Sequence, residues 1–183
     1  MKKVVLTLIV GVMVAVTASA VVKPGVEVLR DGGFAQLQGK RVGLVTNPSG
    51  IDNNLKSTVD ILHEAPGVQL VALFGPEHGV RGNAHAGDAV GDAVDPITGV
   101  KLYSLFGKTL EPTAEMLKDI DVLVYDIQDV GCRSYTFYAT MGVCMQACAK
   151  HGKQFMVLDR PNPLGGNKVE GVFDTLQRSR FYQ

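Results

Sequence analysis

Short apolar runs alternate with helix-patterned segments along most of this chain, and that alternation constrains its fold more than any other feature. Arg41–Thr46, Val68–Phe74, Val100–Phe106, Asp121–Ile127 and Gln154–Asp159 are short, rich in β-branched residues and bounded by Gly, Pro or Asp, as strands are. Between them, Ser57–Glu64 opens on a Ser or Thr cap and closes before Pro66 and Gly67. Glu111–Ile120 has Pro112 near its start and Ala114, Met116, Leu117 and Ile120 on one side. Tyr135–Lys150 carries Met141, Cys144, Met145 and Cys148 at helical spacing, with Gly152 beyond its end. Strands separated by helices pair in parallel, because a parallel connection needs a long crossover that turns right-handed. The pattern predicts an α/β fold: a doubly wound, mainly parallel sheet of about five strands with flanking helices. Val26–Gln38 adds a leading helix, weakened at Gly32 and Gly33, and Arg81–Thr98 reads as a long loop with no apolar period.

The polar residues fall directly after the apolar runs. LFGPEHG (Leu73–Gly79), YDIQDVGCRSYT (Tyr125–Thr136) and LDRPNPLGG (Leu158–Gly166) each begin where a buried strand would end. In an open parallel sheet the loops after the carboxyl ends share one edge, and ligands bind in the crevice outside it. Glu77, His78, Asp126, Asp129, Arg133, Asp159 and Arg160 are therefore expected to converge. Glu77, in a tight GPEHG turn, suits an acid or base, or else a surface carboxylate capping a helix. Asp126 and Asp129 flank Gln128; as a close pair one of them keeps a proton, or else Asp126 caps the next helix and pairs with Arg133. Arg133 and Tyr135 offer a donor fork and a hydroxyl to a sugar or carboxylate. Asp159, Arg160 and Asn162 form a third cluster stiffened by Pro161 and Pro163, and Asn47 is a weaker fourth contributor, since Asn before Pro is often only a turn former.

Several function classes are disfavoured. Eighteen basic against 18 acidic residues leave no electrostatic case for nucleic acid or a membrane surface. The first strand is followed by TNPSGID and not by G-x-G-x-x-G, and no Walker-type motif occurs, so no nucleotide cofactor is expected. His63, His85 and His151 lack a paired ligand spacing, so no metal is expected. Three cysteines are too few for a disulfide scaffold; Cys144 and Cys148 read as packing residues, and Cys132 as a nucleophile would need a base such as His78, whose approach nothing in the sequence shows. At the amino terminus Lys2 and Lys3, the apolar stretch Val4–Val16 and Ala18-Ser19-Ala20 read as a secretory signal over residues 1–20, too short for a span. A periplasmic or secreted product, with no stable membrane insertion after cleavage, is expected.

Four segments in this order, GLVTNPSGID, LFGPEHGVRG, YDIQDVGCRSYTF and LDRPNPLGG, resemble the secreted bacterial exo-β-N-acetylmuramidase family, formerly a domain-of-unknown-function family, over Val26–Gly171. The resemblance implies a Rossmann-like amino-terminal domain, here residues 21–171, whose sheet edge forms the active cleft. It also implies release of non-reducing terminal N-acetylmuramic acid from peptidoglycan fragments without a cofactor. Glu77 would be the leading catalytic carboxylate with His78 beside it, and Asp126, Gln128, Asp129, Arg133 and Tyr135 would line the sugar site. Glycoside hydrolysis generally uses one group to protonate the leaving oxygen and another as base or nucleophile, most often carboxylates. The lactyl carboxylate of muramic acid suits Arg133 or Arg160. The family's chains continue into a second, smaller domain, so residues 172–183 are expected to be a divergent tail with that domain absent. The alternative to a hydrolase is a non-catalytic periplasmic saccharide-binding α/β domain.

Overall fold

The computed structural model describes residues 22–82, 93–132 and 134–171. In chain order these form α1 (Gly25–Asp31), a 3-10 turn (Ala35–Leu37), β1 (Arg41–Thr46), α2 (Thr58–Glu64), β2 (Gln69–Gly75), β3 (Ala93–Val94), β4 (Lys101–Ser104), α3 (Ala114–Leu117), β5 (Val122–Asp126), α4 (Phe137–Lys150) and β6 (Gln154–Val157). The strands make one sheet in the order β3-β4-β2-β1-β5-β6. Every pair is parallel except the β3–β4 hairpin at one edge. The doubly wound α/β arrangement is as expected from the sequence, with six strands in place of five.

The extra strand falls in the stretch read as a loop. β3 is two residues long, too short to show an alternating pattern, and it exists because a turn folds it back on β4. In that turn Asp95 N donates to Val100 O at 2.8 Å, and the Asp95 carboxylate accepts from Thr98 N at 3.0 Å and Thr98 Oγ1 at 2.7 Å. Residues 83–92 of the expected loop, including His85, lie outside the described residues, as do the expected export signal, Arg133 and the tail. The leading helix breaks where Gly32 and Gly33 weakened it: Gly33 (φ 63°) and Phe34 (φ 55°) turn left-handed, and only the 3-10 turn follows. Helix α3 is shorter than the expected Glu111–Ile120, because Thr113 stays extended as its N-cap and accepts from Met116 N at 3.3 Å.

The sheet buries both faces. On one side Val42 and Leu44 pack with Leu29 of α1 and Val59 and Leu62 of α2; on the other Val45 joins Phe74, Leu117, Leu123, Cys144 and Cys148 beneath α3 and α4. That two-sided burial is why the central strands read as continuous apolar runs. At Gly43 a Cβ would lie 2.7 Å from Ile120 Cδ1 and 2.9 Å from Leu123 Cδ1, so glycine is what lets that layer close. Burial pushes the Cys144 thiol up to about 12 and Cys148 up to about 11, as befits core residues. The sheet's amino edge is fastened by Arg41, whose Nη2 meets Asp121 Oδ1 at 2.7 Å and whose Nε meets Oδ2 at 3.1 Å. No helix among the described residues is long and apolar enough to cross a membrane.

Candidate active site at the carboxyl edge of the sheet

Register places the motif loops together. Val45 pairs with Phe74 and Thr46 with Asp126, so β1, β2 and β5 end at the same level. The chain steps from β1 to β2 on one side and later to β5 on the other, so the loops after β1 and β5 part at a topological switch point, where open α/β sheets bind ligands. The loops interlock there. Thr46 Oγ1 donates to Asp126 O at 2.7 Å, Gln128 N to Ser49 Oγ at 2.9 Å, and Gln128 Nε2 to Pro161 O at 3.0 Å. A Cβ at Gly50 would collide with the Thr46 hydroxyl and the Asp126 carbonyl, and one at Gly82 would lie 2.7 Å from Pro48 Cγ.

Asp126 sits at the centre of this edge and is completely buried. Arg160 Nε donates to its Oδ1 at 2.6 Å and Nη2 to its Oδ2 at 2.9 Å; Thr58 Oγ1 donates to Oδ2 at 2.5 Å. The same guanidinium donates to Ile51 O at 2.8 Å. A bidentate, charge-assisted pair of this kind binds loops together. Two expectations are therefore revised. Asp126 is not open to a ligand, because both its oxygens are hydrogen-bonded within the protein and away from solvent. Nor is Arg160 a free fork for a ligand carboxylate, because Asp126 occupies it.

The Glu77 turn is built differently. Gly79 N donates to Pro76 O at 2.9 Å, and the third residue, His78, has φ 71°, the positive angle that a type II turn requires and that Gly normally supplies. Gly75 has no room for a side chain: a Cβ would lie 3.0 Å from Gly79 Cα and from Val80 N. Glu77 is half-buried and His78 exposed, and Glu77 has no hydrogen-bond or ion-pair partner among the described residues. Just beyond, Arg81 Nε and Nη2 reach Asp95 at 2.6 and 3.0 Å, and Nη2 reaches Asp60 at 2.8 Å. This clamp ties the turn to α2 and to the β3–β4 hairpin. Hydrogen bonds from Arg81 outweigh burial and hold the Asp95 carboxyl down to about 2, while the two carboxylates push Arg81 up.

The remaining residues divide between the edge and its surroundings. Asp129 is exposed and accepts from Gly131 N at 2.7 Å; Asn162 lies against Gly131 and accepts from Leu164 N at 2.9 Å. Tyr135 is half-exposed against the Phe137 ring. Asn47 is a turn former, its Oδ1 accepting from Ser49 N at 2.9 Å. Asp159 lines a separate concavity of about 500 Å³ between α1 and β6. A hollow of about 430 Å³, within the size of small-ligand sites, opens at the switch point and is lined by Ser49, Ile51, Leu55, Gln128, Arg160 and Pro161 among others. Glu77 is not among the residues that line it; it follows β2, which stands two places from β5 in the sheet, about two strand spacings or 10 Å. Sequence reasoning missed Thr58, Ser49, Arg81 and Asp95. In the sequence Thr58 stands out only as one of two cap candidates, of which Ser57 is the N-cap, and nothing local marks Arg81 and Asp95 as partners. Among the described residues no group of three or more His, Cys, Asp or Glu could hold a metal ion.

Comparison with known proteins adds four findings. The family model described as exo-beta-N-acetylmuramidase NamZ, N-terminal, matches residues 42–182. The peptidoglycan beta-N-acetylmuramidase NamZ of Bacillus subtilis (strain 168) is 58% identical over 150 residues, which is 82% of this chain and 36% of that protein. The crystal structure of one DUF1343 family protein of Bacteroides fragilis NCTC 9343 matches with a TM-score of 0.76 at 64% identity, over 81% of this chain and 37% of its own. A second from the same organism matches with a TM-score of 0.64 at 39% identity, over 77% and 35%. The chain spans little more than a third of the length of these relatives.

Proposed function

Because this chain belongs to the NamZ amino-terminal family, we propose that it carries the catalytic edge of a peptidoglycan glycoside hydrolase that releases non-reducing terminal N-acetylmuramic acid. The single observation that carries the reading is Glu77: a carboxylate without a partner among the described residues, held in a strained turn on the same edge as the Gln128–Asp129 loop. Glycoside hydrolysis needs a proton for the leaving oxygen and a second group for water or for the anomeric carbon. Glu77 takes the first role. Asp129, exposed where Asp126 is buried, is the accessible second carboxylate. Tyr135, and Arg133 beyond the described residues, are the donors for the sugar and its lactyl carboxylate. Residues 1–20 are proposed to direct export, and amino-terminal sequencing of the product recovered from the periplasm or medium tests that proposal by looking for a chain beginning after Ala20.

The decisive experiment is release of N-acetylmuramic acid from a chromogenic muramide by the purified chain and by Glu77→Gln. Release by the native sequence, lost in a Glu77→Gln protein with an unchanged melting temperature, supports the reading. Muramide binding with no release at high protein concentration selects the saccharide-binding alternative. Equal release by both proteins removes Glu77 from the chemistry.

A further inference from the structure

Among the described residues three non-glycines hold a left-handed backbone: Phe34, Leu55 and His78. Phe34 is buried and its packing offsets the strain, and His78 belongs to the Glu77 turn. Leu55 (φ 63°) is 77% exposed and gains little packing from its own fold. Such a backbone is unfavourable for any residue with a Cβ, and it persists only where the surroundings over-determine it. Here they do. Ile51 and Ser57 close the loop with an antiparallel bridge. The buried Asp52 carboxylate accepts from Asn54 N and Lys56 N, both at 2.9 Å, and from Arg30 Nη1 at 2.7 Å. Buried Glu27 accepts from Asn53 N at 2.9 Å and Asn53 Nδ2 at 3.1 Å. A rigid loop thus presents a leucine at the wall of the 430 Å³ hollow.

Gln128 lines the same hollow. Its amide nitrogen donates to Asp129 O at 2.7 Å and to Pro161 O at 3.0 Å, which fixes the orientation of the amide. Its Oε1 has no donor among the described residues. A fixed acceptor beside an exposed apolar side chain complements an acylamino group, whose N–H donates and whose methyl prefers to leave water. We infer that the hollow is an acylamino subsite, in which Gln128 Oε1 accepts from the N–H of a sugar's N-acetyl group and Leu55 covers its methyl. The inference rests on the hydrolase reading for the sugar and adds the residues that select an N-acetylated ring.

The test is titration of the full chain with N-acetylmuramic acid and with muramic acid, which lacks the acetyl group, for the native sequence, Leu55→Gly and Leu55→Asn. Gly and Asn both tolerate the left-handed backbone, so melting temperatures stay level or rise and certify the fold. The native chain is expected to prefer the N-acetylated sugar, and both variants to lose roughly tenfold of that preference. Gln128→Leu should shift it in the same direction. A preference that survives both Leu55 variants, or no preference in the native chain, overturns the subsite; if Glu77-dependent release persists, the hydrolase reading stands without it. Neither binding nor release by the native chain overturns both.

Discussion

Glu77, in the turn after β2, and Asp126, the last residue of β5, belong to strands that flank the same central strand, yet the fold treats the two carboxylates in opposite ways. Asp126 is completely buried, with both oxygens saturated by Arg160 and Thr58. Glu77 is half-buried in a turn whose third residue is strained, and no described residue pairs with it. The difference separates construction from chemistry. A carboxylate whose hydrogen-bonding capacity is consumed by its own protein holds loops in register. One that is rigidly placed and left unconsumed is available to a substrate.

The largest effect that could break this contrast is on stability. Asp126→Ala leaves the Arg160 guanidinium buried without its counter-charge and should destabilise the chain by about 3–5 kcal/mol, read from the urea midpoint. A normal midpoint would return Asp126 to the list of catalytic candidates. Glu77→Gln should do the reverse: stability within about 0.5 kcal/mol of native, and muramide release lowered by at least about 100-fold.

The Arg81 clamp sharpens the contrast with pH. Its hydrogen bonds hold Asp95 down to about 2, below the ordinary 3.8, so the carboxylate's contribution is complete above its unfolded value and drains away as pH falls toward 2. Asp95→Asn should therefore cost on the order of 2 kcal/mol at neutral pH and flatten the acid limb of a stability–pH curve. An acid limb unchanged by the substitution would dissolve the clamp. The smallest effect is at His78, where φ 71° suits glycine: His78→Gly should raise stability by about 0.4–1 kcal/mol, measured by calorimetry. A loss of stability would mean that the histidine makes contacts that outweigh its backbone strain.

Much of the fold was legible because strand and helix signals are local. RVGLVT, DVLVYDI and the Tyr135–Lys150 stretch carry their periods within a few residues, and the observed β1, β5 and α4 fall inside them. β3 was not legible, since two residues cannot show a period and the hairpin depends on the Asp95 turn. The site was legible only in outline. The motif positions after apolar runs predict loops on one shared edge, and the strand register places them there, but the contacts within it did not follow from spacing: Asp126 and Arg160 are 34 residues apart and meet only because β5 and β6 lie side by side.

The amino-acid order by itself determined that this is a parallel α/β sheet with its polar loops on one edge, because burial on two faces and the need for crossovers leave no other economical arrangement. Which carboxylate is sealed by a guanidinium and which stays open was decided only in three dimensions. Hydrogen-bond capacity is allotted by distance through space, and strands far apart in the chain bring Thr58, Asp126 and Arg160 within reach of one another while leaving Glu77 apart.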